Sequence, residues 1–118
     1  MDFFIRRTYD CELMAAREVE IDIFSGRPNP HWMLSLAEER ELRKRLLSLK
    51  KPMSPPDIPA LGFRGFVVRL GGYSARVYGG RIMISLGLGQ ESVFADTEGI
   101  EDILRREARK HGFLKLLP

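Results

Sequence analysis

Only one cysteine, Cys11, and two histidines, His31 and His111, occur among the 118 residues of the chain. A lone cysteine excludes an internal disulfide framework and fits a reducing compartment. Three such residues, far apart and without ligand spacing, outline no metal centre, and neither a metal nor another cofactor is expected. Long apolar runs are missing as well. The opening stretch MDFFIRRTYDCELM has three consecutive apolar positions, Phe3 to Ile5. That is short for a secretory signal and far from the ~20 residues of a membrane span, so a soluble, cytoplasmic protein with no membrane role is expected.

Marks of catalysis are equally scarce. Cys11 or a serine could pair with His31 as a nucleophile, but nothing local singles out such a pair. Gly87 and Gly89 do not complete a dinucleotide loop, because the third glycine is absent and the chain runs on toward a strand. No catalytic residue is assigned, and the chain reads as a binding or subunit module rather than a complete enzyme.

What is present is charge, and it is unevenly spread. The chain carries +3 overall, yet residues 1–39 hold a net −4, residues 40–90 a net +8 and residues 91–118 a net −1. Between Asp57 and Glu91 there is no acid, only Arg64, Arg69, Arg76 and Arg81. Such polarity suits an anionic partner for the middle third, or internal pairing of that third with the acidic first third.

The pattern of residues predicts one α+β domain over 1–118. Glu18 to Phe24, EVEIDIF, alternates with period two and predicts a half-buried strand carrying Val19, Ile21 and Ile23 on its apolar face. Ser35 followed three residues later by Glu38 forms a capping box that starts a helix near Leu36, with Leu42, Leu46 and Leu49 as its apolar stripe. Residues 51–62, with Pro52, Pro55, Pro56 and Pro59, predict an extended connector within the domain.

Three or four short strands follow, punctuated by Gly71-Gly72 and Gly79-Gly80, which suit tight hairpins. Phe66, Val68, Leu70, Ala75, Val77, Ile82, Ile84 and Leu86 are expected on the core face, and ESVFA predicts the fourth strand. A last helix is expected from Thr97 to Lys110, capped by Asp96 or Thr97 and stopped by Gly112, with Phe113 packing back. The order β-α-β3/4-α implies an antiparallel sheet with two helices on one face.

Two places stand out as candidate contacts. The sheet face opposite the core would show Val67, Arg69, Arg76, Tyr78, Arg81, Met83 and Ser85. Arginine, methionine and an aromatic together match the composition of a protein interface core, so a protein partner or a homo-oligomer is expected there. The same arginines with Tyr78 could instead track the phosphates of a nucleic acid and stack a base. RGFVVRL, Arg64 to Leu70, has the Arg-Gly-aromatic start of one RNA-recognition signature, but Val68 and Leu70 stand where stacking aromatics belong, and that motif is rejected.

The second place is SGRPNPHW, residues 25 to 32. Pro28 and Pro30 stiffen it, which would hold Arg27, Asn29, His31 and Trp32 ready for a partner or a small anionic ligand. The structural alternative makes Trp32 a core plug and pairs Arg27 with an acid such as Glu18. Glu18, Glu20 and Asp22 read as a solvated sheet face rather than a cation site. SGRPNPHW together with LGFRGFVV resembles small bacterial proteins of uncharacterised function that carry a Ser-Gly-Arg-Pro-Asn-Pro-x-Trp stretch. The resemblance spans roughly residues 18 to 70 and implies no activity, only that the corner and the strand after the proline connector pack together.

Overall fold

Alternating apolar and acidic side chains open the described chain as strand β1 (Glu18–Ile21), with Val19 and Ile21 fully buried and Glu18 and Glu20 on the other face. The computed structural model describes residues 17–87 and 89–118; Cys11 and the opening stretch lie outside them. After β1 come β2 (His31–Met33), α1 (Leu36–Leu47), β3 (Phe66–Leu70), β4 (Tyr73–Tyr78), β5 (Arg81–Ser85), β6 (Glu91–Ala95) and α2 (Ile100–Lys110). The strands form one antiparallel sheet in the order β2-β1-β3-β4-β5-β6. This is the α+β architecture expected, with both helices packed on one face of the sheet.

Register explains the core. Ile21, Phe66, Val77, Ile82 and Phe94 stand side by side across five strands, and Trp32, Val19, Val68, Ala75 and Ile84 form the next inward row. Leu42 and Leu46 of α1 and Ile100, Leu104 and Ala108 of α2 close over these rows. Burying one such large side chain stabilises the fold by about 1.5–3 kcal/mol.

The helix ends follow the caps written in the sequence. Ser35 Oγ accepts from the Glu38 N–H at 3.1 Å while Glu38 Oε1 accepts from the Ser35 N–H at 2.8 Å. The pairs Glu39–Arg43 (2.9 Å) and Glu41–Arg45 (2.7 Å) run along α1. At α2 the two oxygens of Asp96 each accept a backbone N–H, from Ile100 and Glu101, both at 2.8 Å. Asp96 thus satisfies the first two helical amides from a distance, while regular helix begins at Ile100 and not Thr97 and its N-cap residue is Gly99. Gly112 takes φ +85°, and the Phe113 N–H returns to Ala108 O at 2.8 Å.

Three expectations give way. The first strand stops at Ile21 instead of running to Phe24, because the Asn29 side chain captures the Ile23 and Phe24 N–H groups. The corner is not a direct strand-to-helix link but a hairpin loop, since His31–Met33 returns as β2 beside β1. Leu86 lies past the end of β5 and is exposed, so it is no core residue. The proline connector does more than span a gap. Lys51 O accepts from Ala95 N–H (2.8 Å) and the Met53 N–H donates to Val93 O (3.1 Å), covering part of the outer edge of β6. No helix among the described residues is long and apolar enough to cross a membrane.

Gly65, just before β3, has φ +108°, and a Cβ there would lie 2.6 Å from Val77 O. Gly72 has φ +95° but open space around it. Gly65→Ala is expected to cost roughly 3 kcal/mol or more, and Gly72→Ala about 1 kcal/mol, in urea unfolding. Equal losses at the two sites would show that backbone conformation alone, and not the approach of β4, requires glycine at 65.

Candidate interaction face and corner

Because β1 pairs with β3 and β3 with β4, the acids of β1 stand next to the arginines of the basic middle third. In register, Glu18 faces Arg69 and Glu20 faces Val67, whose other neighbour is Arg76. The result is a lattice of ion pairs on the sheet face opposite the helices. Arg69 Nη1 reaches Glu20 Oε1 at 2.8 Å and Glu18 Oε1 at 3.1 Å. Arg76 Nη1 reaches Asp22 Oδ2 at 2.8 Å, and Arg64 Nη2 reaches Asp22 Oδ1 at 2.9 Å. Three carboxylates thus answer three guanidiniums.

Asp22 holds the centre. Its N–H donates to Gly65 O (2.9 Å), its carbonyl accepts from Arg64 N–H (2.7 Å), and its carboxylate takes both arginines. Arg64 also donates to Phe24 O and Ala60 O, each at 3.0 Å, and Arg76 to Arg64 O at 2.7 Å. The side chains of Asp22 and Arg64 are only 16% and 17% exposed. Burial by itself would raise the Asp22 carboxyl. Hydrogen bonds from Arg64 and Arg76, with their positive charge, outweigh it and hold that carboxyl below its ordinary value.

The corner is tied to the same lattice by Asn29. Its Oδ1 accepts from Phe24 N–H (2.7 Å) and Ile23 N–H (3.1 Å), while Nδ2 donates to Glu20 Oε2 at 2.6 Å. Asn29 is therefore engaged inside the fold. Trp32 is also inside, 4% exposed on the core face of β2. His111 stacks on it at 5.1 Å between ring centroids and Phe113 at 6.2 Å. Its indole Nε1 has no hydrogen-bond partner among the described residues, so packing alone holds it.

Arg27 does not pair with an acid among the described residues. Glu18 belongs to Arg69, and the Arg27 guanidinium lies 3.7 Å from the centroid of the Phe24 ring, a cation–π contact on an exposed loop. His31 is exposed on β2, with Nδ1 3.3 Å from Asn29 O. Of the four candidate residues Arg27, Asn29, His31 and Trp32, the exposed ones are Arg27 and His31.

The sheet-face candidates are likewise divided. Arg69 and Arg76 share the ion-pair lattice. Tyr78 stands at the end of β4 against Phe63, with ring centroids 6.0 Å apart, and lines a hollow with Glu101 and Arg105 of α2. Arg81 donates to Gly79 O at 3.3 Å and joins no ion pair among the described residues. Sequence reasoning passed over Arg64 and Phe24 as site residues. The signal for Arg64 was the run of arginines without acids between Asp57 and Glu91, set against the three alternating acids of β1. Nothing in the sequence singles out Phe24. No group of three or more His, Cys, Asp or Glu among the described residues converges on a cation.

Comparison with protein-family models, with curated proteins and with solved structures returns no match. The geometry alone therefore carries the functional reading.

Asp22→Asn keeps the shape of the side chain and removes the charge shared by Arg64 and Arg76. It is expected to lower stability by roughly 2–4 kcal/mol near neutral pH. The contribution of a carboxylate whose folded pKa is depressed is complete above its unfolded value of about 3.9 and vanishes as pH falls through the folded value. The gap between the two proteins should therefore close in acid. Urea unfolding across a pH series measures it, and a gap that persists undiminished into strong acid would contradict the role given to the charge.

Proposed function

We propose that the chain is a small interaction module that self-associates through the sheet face opposite its helices. One observation carries this: Arg64, Arg69 and Arg76 share one ion-pair network with Glu18, Glu20 and Asp22, three charges of each sign, so that part of the face is charge-balanced. A surface that tracks phosphates needs a row of free cations, and among the described residues Arg81 alone of this face's four arginines stands outside the ion pairs. Balanced charge with apolar Val67 and Val93 between the polar side chains suits a protein contact instead.

The arrangement of charge favours a second copy. Acids line β1 and arginines line the neighbouring β3 and β4, so a two-fold axis through the face sets the acidic stripe of one copy over the basic stripe of the other. Arg27 and His31, exposed at the corner, lie beside this face and extend it. Nucleic-acid binding through the face is a weaker reading because Arg69 and Arg76 are already paired, and capture of a small anion at the corner is weaker because Asn29 and Trp32 are engaged inside the fold.

Sedimentation equilibrium from micromolar to millimolar concentration tests the proposal. A concentration-dependent dimer is expected, and Val67→Lys should weaken it about tenfold or more while leaving the melting temperature of the monomer within a few degrees. A strict monomer throughout that range would reject self-association. Salt-dependent binding of an oligonucleotide, lost on replacing Arg69 and Arg76, would move the function to nucleic acid.

A further inference from the structure

Two hollows meet along α2, beside the end of β4. One, of about 390 Å³, has Phe63 and Tyr78 as its aromatic wall, with Leu61 beside them. The other, of about 220 Å³, lies between Arg106, Arg109 and the apolar Leu114 and Leu117. Arg105 and Pro118 line both, so the hollows form one furrow with an aromatic end and a cationic end.

The three arginines differ in what they have left to offer. Arg105 is a fixed post. Its Nη2 and Nε hold Glu101 Oε2 at 3.0 and 3.3 Å, its Nη1 donates to Pro118 O at 3.4 Å, and its guanidinium carbon lies 5.7 Å from the Phe63 centroid. Arg106 and Arg109 are exposed and have no carboxylate partner among the described residues. Basic residues in a last helical turn ordinarily offset the helix dipole, which accounts for Arg109. It does not account for Arg106, which sits outside that turn and lines the same hollow.

We propose that this furrow binds a small molecule that joins a planar aromatic ring to a phosphate, as a nucleoside monophosphate does. The ring rests on the Phe63–Tyr78 wall. Those two rings are tilted by 36° at 6.0 Å, too close to admit a third between them, so they offer an open platform. The phosphate lies across Arg106 and Arg109, whose guanidinium forks match its oxygens in geometry and its dianionic charge in number. A carboxylate would answer only one of the two. Arg105, whose guanidinium carbon lies 5.7 Å from the Phe63 centroid, and Arg109 are about one turn apart, ~6 Å along the helix.

Titration of the full chain with adenosine monophosphate, followed by calorimetry and by amide chemical shifts, tests this, with adenosine and inorganic phosphate titrated separately. The nucleotide is expected to bind at least about tenfold more tightly than either part, with shifts centred on Tyr78 and the second half of α2. Arg106→Ala with Arg109→Ala should weaken it about tenfold or more, and both positions are exposed, so the fold survives the change. Tyr78→Phe should retain binding and Arg27→Ala should leave it untouched. Binding no tighter than that of inorganic phosphate would reduce the cationic end to an adventitious anion site. No binding, or binding indifferent to the double substitution, would overturn the proposal.

Discussion

Asp22 is where the two halves of the sheet are held together on their polar side. Its backbone joins the residues before β3 through two hydrogen bonds, and its carboxylate receives arginines that lie 42 and 54 residues away. Burying an arginine without a counter-charge is costly, so these pairs act together: each guanidinium stays half-buried because the carboxylate is there, and the carboxylate stays ionised because the guanidiniums are. The chain can leave β1 for the loop at residue 22 because Arg64 also fastens Phe24 O. Strand order, loop path and charge balance of the face all pass through this residue.

The corner then reads as part of the same construction. Asn29 ends β1 by taking over the N–H groups of Ile23 and Phe24, and hands its own amide to Glu20. Pro30 supplies a carbonyl to Ile21 N–H at 2.8 Å and cannot donate in return, which suits the last residue of a loop. One residue beyond His31, Trp32 turns inward and meets the chain's far end, where His111 and Phe113 cover it. A stretch dense in glycine, proline and aromatics is thereby accounted for by folding. Its polar side chains not taken up by that folding are Ser25, Arg27 and His31, all exposed.

Much of the architecture was legible because its causes are local. The Ser35–Glu38 box, the Asp96 cap and the glycine pairs at 71–72 and 79–80 act within a few residues of themselves, and period-two alternation sorted Phe66, Val68, Ala75 and Val77 to the core without reference to anything distant. Three residues of β2 are too few for a period, and proline precedes them, so that strand left no trace in the pattern. Leu86 continued an alternation that the turn around Gly87 had already ended. Among the candidate contacts, residue type identified Arg69 and Arg76 as unusual but said nothing of what they touch.

Hydrophobic period and capping chemistry, which need only near neighbours, determined from the sequence alone that this chain makes an antiparallel sheet backed by two helices. Which charges cancel was decided by tertiary structure, because register alone brings Glu18 beside Arg69 and sets Asp22 between Arg64 and Arg76. The same holds for the aromatic and cationic ends of the furrow along α2. Phe63, Tyr78 and Arg106 belong to three separate segments, and only the packing of a helix against a sheet end makes them one surface.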